Sequence, residues 1–179
     1  MIKGKIFSYC LALFLIASLF FNYYLYKENE GFKIQLGTEY QSAFRLTIHN
    51  LGDGSTDFWV ETLKEPNGDI QLERYVGELR NYSREFSQMG GQMSAIGMLL
   101  DEIIKQYYQL EYGVKNGEDV EDSKKAINSR IQLINTIFTK IEADLGENEK
   151  LWYKELSGFQ TDTQNYVEEK YREFQLQNK

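Results

Sequence analysis

The chain has 179 residues, a net charge of −7, one cysteine (Cys10) and one histidine (His49). A single cysteine excludes an intramolecular disulfide and a cysteine-based metal cluster, and with only one histidine most zinc sites and histidine-based catalytic triads are excluded as well. Beyond residue 26 there are 18 basic and 27 acidic residues, so a nucleic-acid partner, which binds through phosphate neutralisation, is not expected.

An uncharged apolar segment of 21 residues runs from Ile6 to Tyr26. As a helix it would span roughly 30 Å, the thickness of the hydrocarbon core of a bilayer. Lys3 and Lys5 precede it, which predicts a cytoplasmic N-terminus. A cleaved signal peptide is the alternative, but the segment lacks the small residues at −3 and −1 that such cleavage requires. We therefore predict an uncleaved, single-pass transmembrane anchor.

The anchor divides the chain into four predicted parts. A polar stretch that contains Gly31 follows the anchor and is interpreted as a linker. Residues after it show helical spacing of apolar side chains, beginning with Tyr40, Phe44, Ile48 and Leu51 on one face of a first amphipathic helix. The predicted parts are a cytoplasmic N-terminus (1–5), the transmembrane anchor (6–26), a juxtamembrane linker (27–37) and an extracytoplasmic helical bundle (38–179).

A heptad pattern dominates the middle of the chain, after a short helix over residues 56–63 and a turn at 66–68. Apolar or aromatic residues recur every seven positions, and a second such series follows three positions behind. This pattern is typical of a helix that packs along its length on other helices. The two series are Leu72, Leu79, Phe86, Met93, Leu100 and Tyr107, and Tyr75, Tyr82, Met89, Ile96, Ile103 and Leu110.

Two adjacent glycines, Gly90 and Gly91, lie inside this pattern. They cost about 2 kcal/mol in a helix relative to alanine, and a break there would produce a helical hairpin. The heptad register, however, continues through both glycines. We therefore favour one continuous or kinked helix from Asp69 to about Tyr112, with the hairpin as the alternative.

Two further helices complete the predicted bundle. One runs from about Asp119 to Leu145 and carries a second heptad series, and the other from about Asn148 to Gln177, where Gly158 is a possible interruption. The predicted fold is all-α: an N-terminal transmembrane helix followed by an antiparallel three- to four-helix bundle with one very long helix.

No residue pattern predicts catalysis. The acidic residues between Glu118 and Asp122 are interpreted as a solvated loop, because none of them occupies an apolar seam position where burial would raise its pKa. We predict a non-enzymatic protein with no catalytic residues, no cofactor and no metal.

The centre of the long seam is the place where we expect a partner or ligand groove. Methionine adapts to varied partners, and glycines let another helix approach closely. The predicted groove residues are Tyr82, Met89, Gly90, Gly91, Met93, Gly97 and Met98.

The predicted function is a membrane-tethered interaction or scaffold module of a bacterial envelope complex, with a protein partner or self-association. The architecture looks like the helical-bundle sensor domains of bacterial chemoreceptors and kinases, a similarity of fold with no shared motif. The alternative function is therefore an extracytoplasmic ligand-sensing domain that passes its signal to a separate membrane transducer.

Overall fold

A computed structural model describes residues 2–52 and 55–177, and for residues 2–10 and 12 it describes the backbone alone. Within these residues the chain forms seven helices and no strand, which confirms the predicted all-helical bundle. The helices are α1 (Ile2–Gly52), α2 (Thr56–Thr62), α3 (Gly68–Met89), α4 (Met93–Asn116), α5 (Glu121–Leu145), α6 (Glu149–Ser157) and α7 (Asp162–Gln177).

The predicted seam residues form the core. All six members of the first heptad series are fully buried, and in the second series the three members on α4 are buried and the three on α3 are partly buried. The apolar residues of α5 complete the core, with Ile127, Ile134 and Ile141 buried at the predicted spacing of seven. Burying one such side chain contributes roughly 1.5–3 kcal/mol, so the seams account for much of the driving force for folding.

The prediction of one continuous helix through Gly90 and Gly91 is wrong. α3 ends at Met89, α4 begins at Met93, and the two helices pack against each other as an antiparallel hairpin. Both glycines have positive φ angles, 76° and 53°, a conformation that glycine adopts without the steric cost that a Cβ brings. The heptad register did not exclude this turn, because each helix needs only its own apolar stripe to face the shared core.

The turn between α3 and α4 is held by α7. The backbone N–H of Gln92 donates to Oε1 of Gln164 at 2.5 Å, and the same buried side chain donates through Nε2 to the carbonyl of Leu156 at 2.8 Å. Ser94 Oγ donates to the carbonyl of Gly91 at 2.8 Å. These bonds satisfy backbone groups that a helix end leaves without partners.

The one very long helix of the fold is α1, with 51 residues. Residues 27–37, which were predicted to be a linker, are helical and join the apolar segment to the first bundle helix without interruption. Side-chain pairs such as Lys33–Glu30 and Gln35–Glu39 support this stretch. A single glycine, Gly31, costs only about 1 kcal/mol in a helix, which these contacts offset.

The second half of α1 packs in the bundle as its sequence predicted. Phe44 and Leu51 are buried, and Tyr40 and Ile48 are partly buried against the core. The predicted interruption of the last helix is also confirmed, because Gly158 separates α6 from α7.

Among the described residues, no helix combines the length and the apolar character that crossing a membrane requires. The transmembrane helix predicted for residues 6–26 thus has no support from the structure. The side chains of residues 6–10 and 12, which belong to that segment, and those of the predicted cytoplasmic residues 1–5 lie outside the described part of the chain.

Replacing Gly90 by alanine tests the hairpin. At φ 76° and ψ −170° a Cβ is strained, so the free energy of unfolding should fall by about 1–3 kcal/mol. The measurement is urea unfolding of the full chain in mild detergent, monitored by circular dichroism. Gly77→Ala is the matched control, because Gly77 lies inside α3 with open space around it, and it should gain up to about 1 kcal/mol. In a continuous helix both variants would be more stable, which would contradict the hairpin.

Candidate functional site

The structure distributes the seven predicted groove residues over several environments. Met93 and Gly97 of α4 are buried, Gly97 against α3, and Met98 of the same helix is half exposed. Gly90 and Gly91 form the hairpin turn. The remaining two, Tyr82 and Met89, are partly buried on the side of α3 that faces α1.

Gly97 has a structural role at the α3–α4 interface. A Cβ added there would lie 2.5 Å from Ser87 Oγ and 2.8 Å from the carbonyl oxygen of Ser83. Ser83 Oγ also lies within hydrogen-bonding distance of two acceptors, the carbonyl oxygen of Gly97 at 3.1 Å and Oδ1 of Asp101 at 2.6 Å. The predicted close approach of a neighbouring helix is therefore present, and the neighbour is α3 of the same chain.

Tyr82 links α3 to the end of α1. Nδ2 of Asn50 donates to the Tyr82 hydroxyl at 2.6 Å and to Oε2 of Glu78 at 3.1 Å. Partial burial raises the pKa of the Tyr82 hydroxyl, with the Glu78 carboxylate as the next cause. Tyr82 therefore stays protonated and serves as a hydrogen-bonding contact between two helices.

Met89 lines a groove between α1 and α3, which we call the α1–α3 groove. Its volume is about 540 Å³. The floor and walls come mainly from α1, and three residues of α3 close the other side. The lining residues are Leu36, Glu39, Tyr40, Ser42, Ala43, Leu46, Glu85, Gln88 and Met89.

The α1–α3 groove has a mixed chemistry that suits binding. Leu36, Tyr40, Leu46 and Met89 supply apolar surface, and Leu46 is 49% exposed. Burial is the first cause that raises the pKa of the Tyr40 hydroxyl. Carboxylates on both helices, Glu39 and Glu85, also line the groove.

Sequence reasoning missed the α1 side of this groove. A second apolar stripe of α1 lies beside the buried stripe of Phe44 and shares Tyr40 with it. Its members, at spacings of four, three and three, are Leu36, Tyr40, Ala43 and Leu46. Leu36 lay in the predicted linker, so the stripe was not recognised. The spacing was the available signal, and continuing the helix through residues 27–37 would have revealed it.

α6 holds α1 in place next to the groove. A Cβ on Gly37 would lie 1.8 Å from the carbonyl oxygen of Glu149, so the two backbones are in direct contact there. Lys150 Nζ donates to Glu30 at 2.5 Å. This hydrogen bond and a second one from Lys33 lower the pKa of the Glu30 carboxyl well below its usual value. The carboxylate therefore stays charged, and the cross-helix pair stays intact, across the neutral pH range.

Among the side chains that the structure describes, no group of three or more His, Cys, Asp or Glu residues is arranged to hold a metal ion.

The fold and the groove define a class: a helical-bundle protein whose first helix extends well beyond the bundle and forms one wall of a surface groove. Comparison with protein-family models, with curated proteins and with solved structures found no match.

Replacing Gly97 by alanine tests its packing role. The added Cβ is too close to Ser87 and to the Ser83 backbone, and overpacking of this kind lowers the free energy of unfolding by about 1–3 kcal/mol. The urea concentration at the midpoint of unfolding should therefore decrease. Gly77→Ala is again the control and should increase this midpoint concentration. If Gly97→Ala leaves stability unchanged, the α3–α4 contact is looser than the structure indicates.

Proposed function

We propose that the chain is a membrane-tethered helical-bundle protein that serves as a non-enzymatic interaction or scaffold module of a bacterial envelope complex. One observation carries the proposal. Every described large apolar side chain between residues 11 and 26 is exposed, from 48% at Leu25 to 77% at Phe14. A helix that is apolar on all sides requires an apolar environment around it, and a lipid bilayer provides one.

The residues at the two ends of the apolar segment support an orientation. Lys3 and Lys5 precede it, which favours a cytoplasmic N-terminus. The exposed side chains of Tyr23, Tyr24 and Tyr26 lie at its other end, where interfacial aromatic residues are common. In this orientation the bundle, residues 38–179, lies outside the cytoplasm.

The α1–α3 groove is the surface that we assign to a protein partner. It lies on the half of α1 that follows the apolar segment, so a partner in or near the same membrane can reach it. Glu39 and Glu85 line it on opposite helices, and the chain beyond residue 26 has 18 basic and 27 acidic residues. A partner helix with an apolar stripe flanked by lysine or arginine would complement both features.

Ligand sensing is the second candidate, and the size of the groove favours it. About 540 Å³ falls within the range of small-molecule sites, roughly 300–1,000 Å³. A sensing domain would bind one class of small molecule and become more stable with it, whereas a scaffold would be stabilised by its protein partner alone.

Membrane attachment is tested by fractionation. The full chain should remain in the membrane pellet after alkaline carbonate extraction. The double variant Ile16→Arg with Leu19→Arg should move to the supernatant, because each charge at the centre of a spanning helix costs about 2.5–3.5 kcal/mol. Phe58→Arg, a change at a half-exposed site on α2, should stay in the pellet. Recovery of the unaltered chain in the supernatant would contradict the proposal.

Partner binding is tested by photo-crosslinking in cells. A photoreactive amino acid at Leu46 or Gln88 lies in the groove, and one at the exposed Lys125 on α5 is the control. We expect the same protein adduct from both groove positions, none from Lys125, and loss of the Gln88 adduct when Leu46→Glu adds charge to the groove. Adducts of equal yield at all three positions would reject the groove as the binding surface.

A further inference from the structure

We infer that the loop between α6 and α7 is a second membrane contact, which places Phe159 in the interfacial region of the bilayer beside α1. This inference rests on the proposed membrane attachment of α1 and adds a second attachment point. It assigns a lipid surface as the partner of an apolar side chain that no part of the bundle covers.

Phe159 is the most exposed large apolar residue of the described chain, at 88%. The loop around it is nevertheless ordered by hydrogen bonds. Thr161 Oγ1 donates to the carbonyl of Glu155 at 2.7 Å and accepts from the backbone N–H of Gln164 at 3.2 Å. Gln160 has a φ of 57°, a left-handed conformation that is uncommon for residues other than glycine. The loop therefore presents Phe159 outward in a defined conformation.

The loop lies at the end of the bundle where α1 leaves it. A cleft of about 510 Å³ is lined by Gly91 and Gln92 of the α3–α4 turn together with Phe159. That turn follows Met89, which shares the α1–α3 groove with Leu36. The loop, the turn and the first bundle residues of α1 are thus neighbours.

The start of α6 contacts α1 between the bundle and the apolar segment. Its first residue, Glu149, contacts Gly37, and the next, Lys150, bonds to Glu30, which is seven positions closer to the N-terminus of α1. Phe159 follows two residues after the end of α6, and it borders the same cleft as Gly91 and Gln92 of the α3–α4 turn.

The exposed side chains of α1 between the apolar segment and the bundle suit the lipid interface. Tyr24 and Tyr26 are 63% and 61% exposed at the end of the apolar segment, and Phe32 on the next turns of α1 is 57% exposed. Aromatic side chains are enriched where the hydrocarbon core meets the headgroups. Phe159 adds an aromatic ring from another part of the bundle, and two attachment points would fix the direction in which the α1–α3 groove faces.

The test uses the full chain in liposomes, with Cys10→Ser and a single new cysteine that carries an environment-sensitive fluorophore. The labelled sites are Phe159→Cys, Tyr23→Cys within the apolar segment, and Glu118→Cys in the α4–α5 loop at the opposite end of the bundle. Phospholipids with a nitroxide at the headgroup end of the acyl chain serve as the quencher. We expect loss of fluorescence at 159 comparable to the loss at 23, and no loss at 118.

The outcomes separate this inference from the proposed function. Quenching at 23 without quenching at 159 overturns the loop contact and leaves the anchor intact. No quenching at 23 overturns the proposed function itself. Equal quenching at 159 and 118 shows that the bundle lies on the lipid without a preferred end, which also overturns the inference. A further variant, Phe159→Ser with the label at Gln160→Cys, should show weaker quenching than Gln160→Cys alone.

Discussion

An aromatic cluster at the centre of the bundle joins α1 to three other helices. The ring of Phe44 lies 5.1 Å from that of Phe86, 4.2 Å from that of Phe138 and 5.1 Å from that of Trp152. These rings come from α1, α3, α5 and α6, and all four are buried. Aromatic pairs contribute about 0.5–1.5 kcal/mol each beyond the area that they bury. Because the groove wall and the apolar segment are both parts of α1, the cluster around Phe44 helps to fix the position of both relative to the bundle.

The core was predictable because its signal is local. Leu72, Phe86 and Leu100 belong to a pattern with a period of seven, and such a pattern identifies the buried side of a helix whatever lies opposite it. The period of seven does not distinguish one continuous helix from two shorter helices that are joined by a turn and pack against each other. Gly90 and Gly91 adopt positive φ angles, and the sequence shows only that they are able to.

The groove was less predictable because it depends on two helices far apart in the chain. Met89 was identified from its place in the seam, but the opposite wall, with Leu36 and Leu46, required α1 to continue through a stretch that composition marks as a linker. Gly37 is a similar case, because the close backbone contact that requires a glycine there is made with Glu149, which is distant in the sequence. Interpreting polar residues as a linker overlooked that Glu, Lys and Gln are good helix formers.

The continuity of α1 has a mechanical consequence for the proposed function. Between Tyr26 and Leu36 the helix is unbroken and bonded to α6 from Glu30 onward, so the described residues contain no flexible joint between the apolar segment and the groove. Spanning helices commonly tilt by about 20° from the bilayer normal. If the apolar segment spans a bilayer as proposed, a continuous α1 passes such a tilt on to the whole bundle, and the tilt sets the direction in which the groove faces. A flexible linker would leave that direction free, whereas a continuous helix limits the positions from which a partner in the same membrane can reach Leu46.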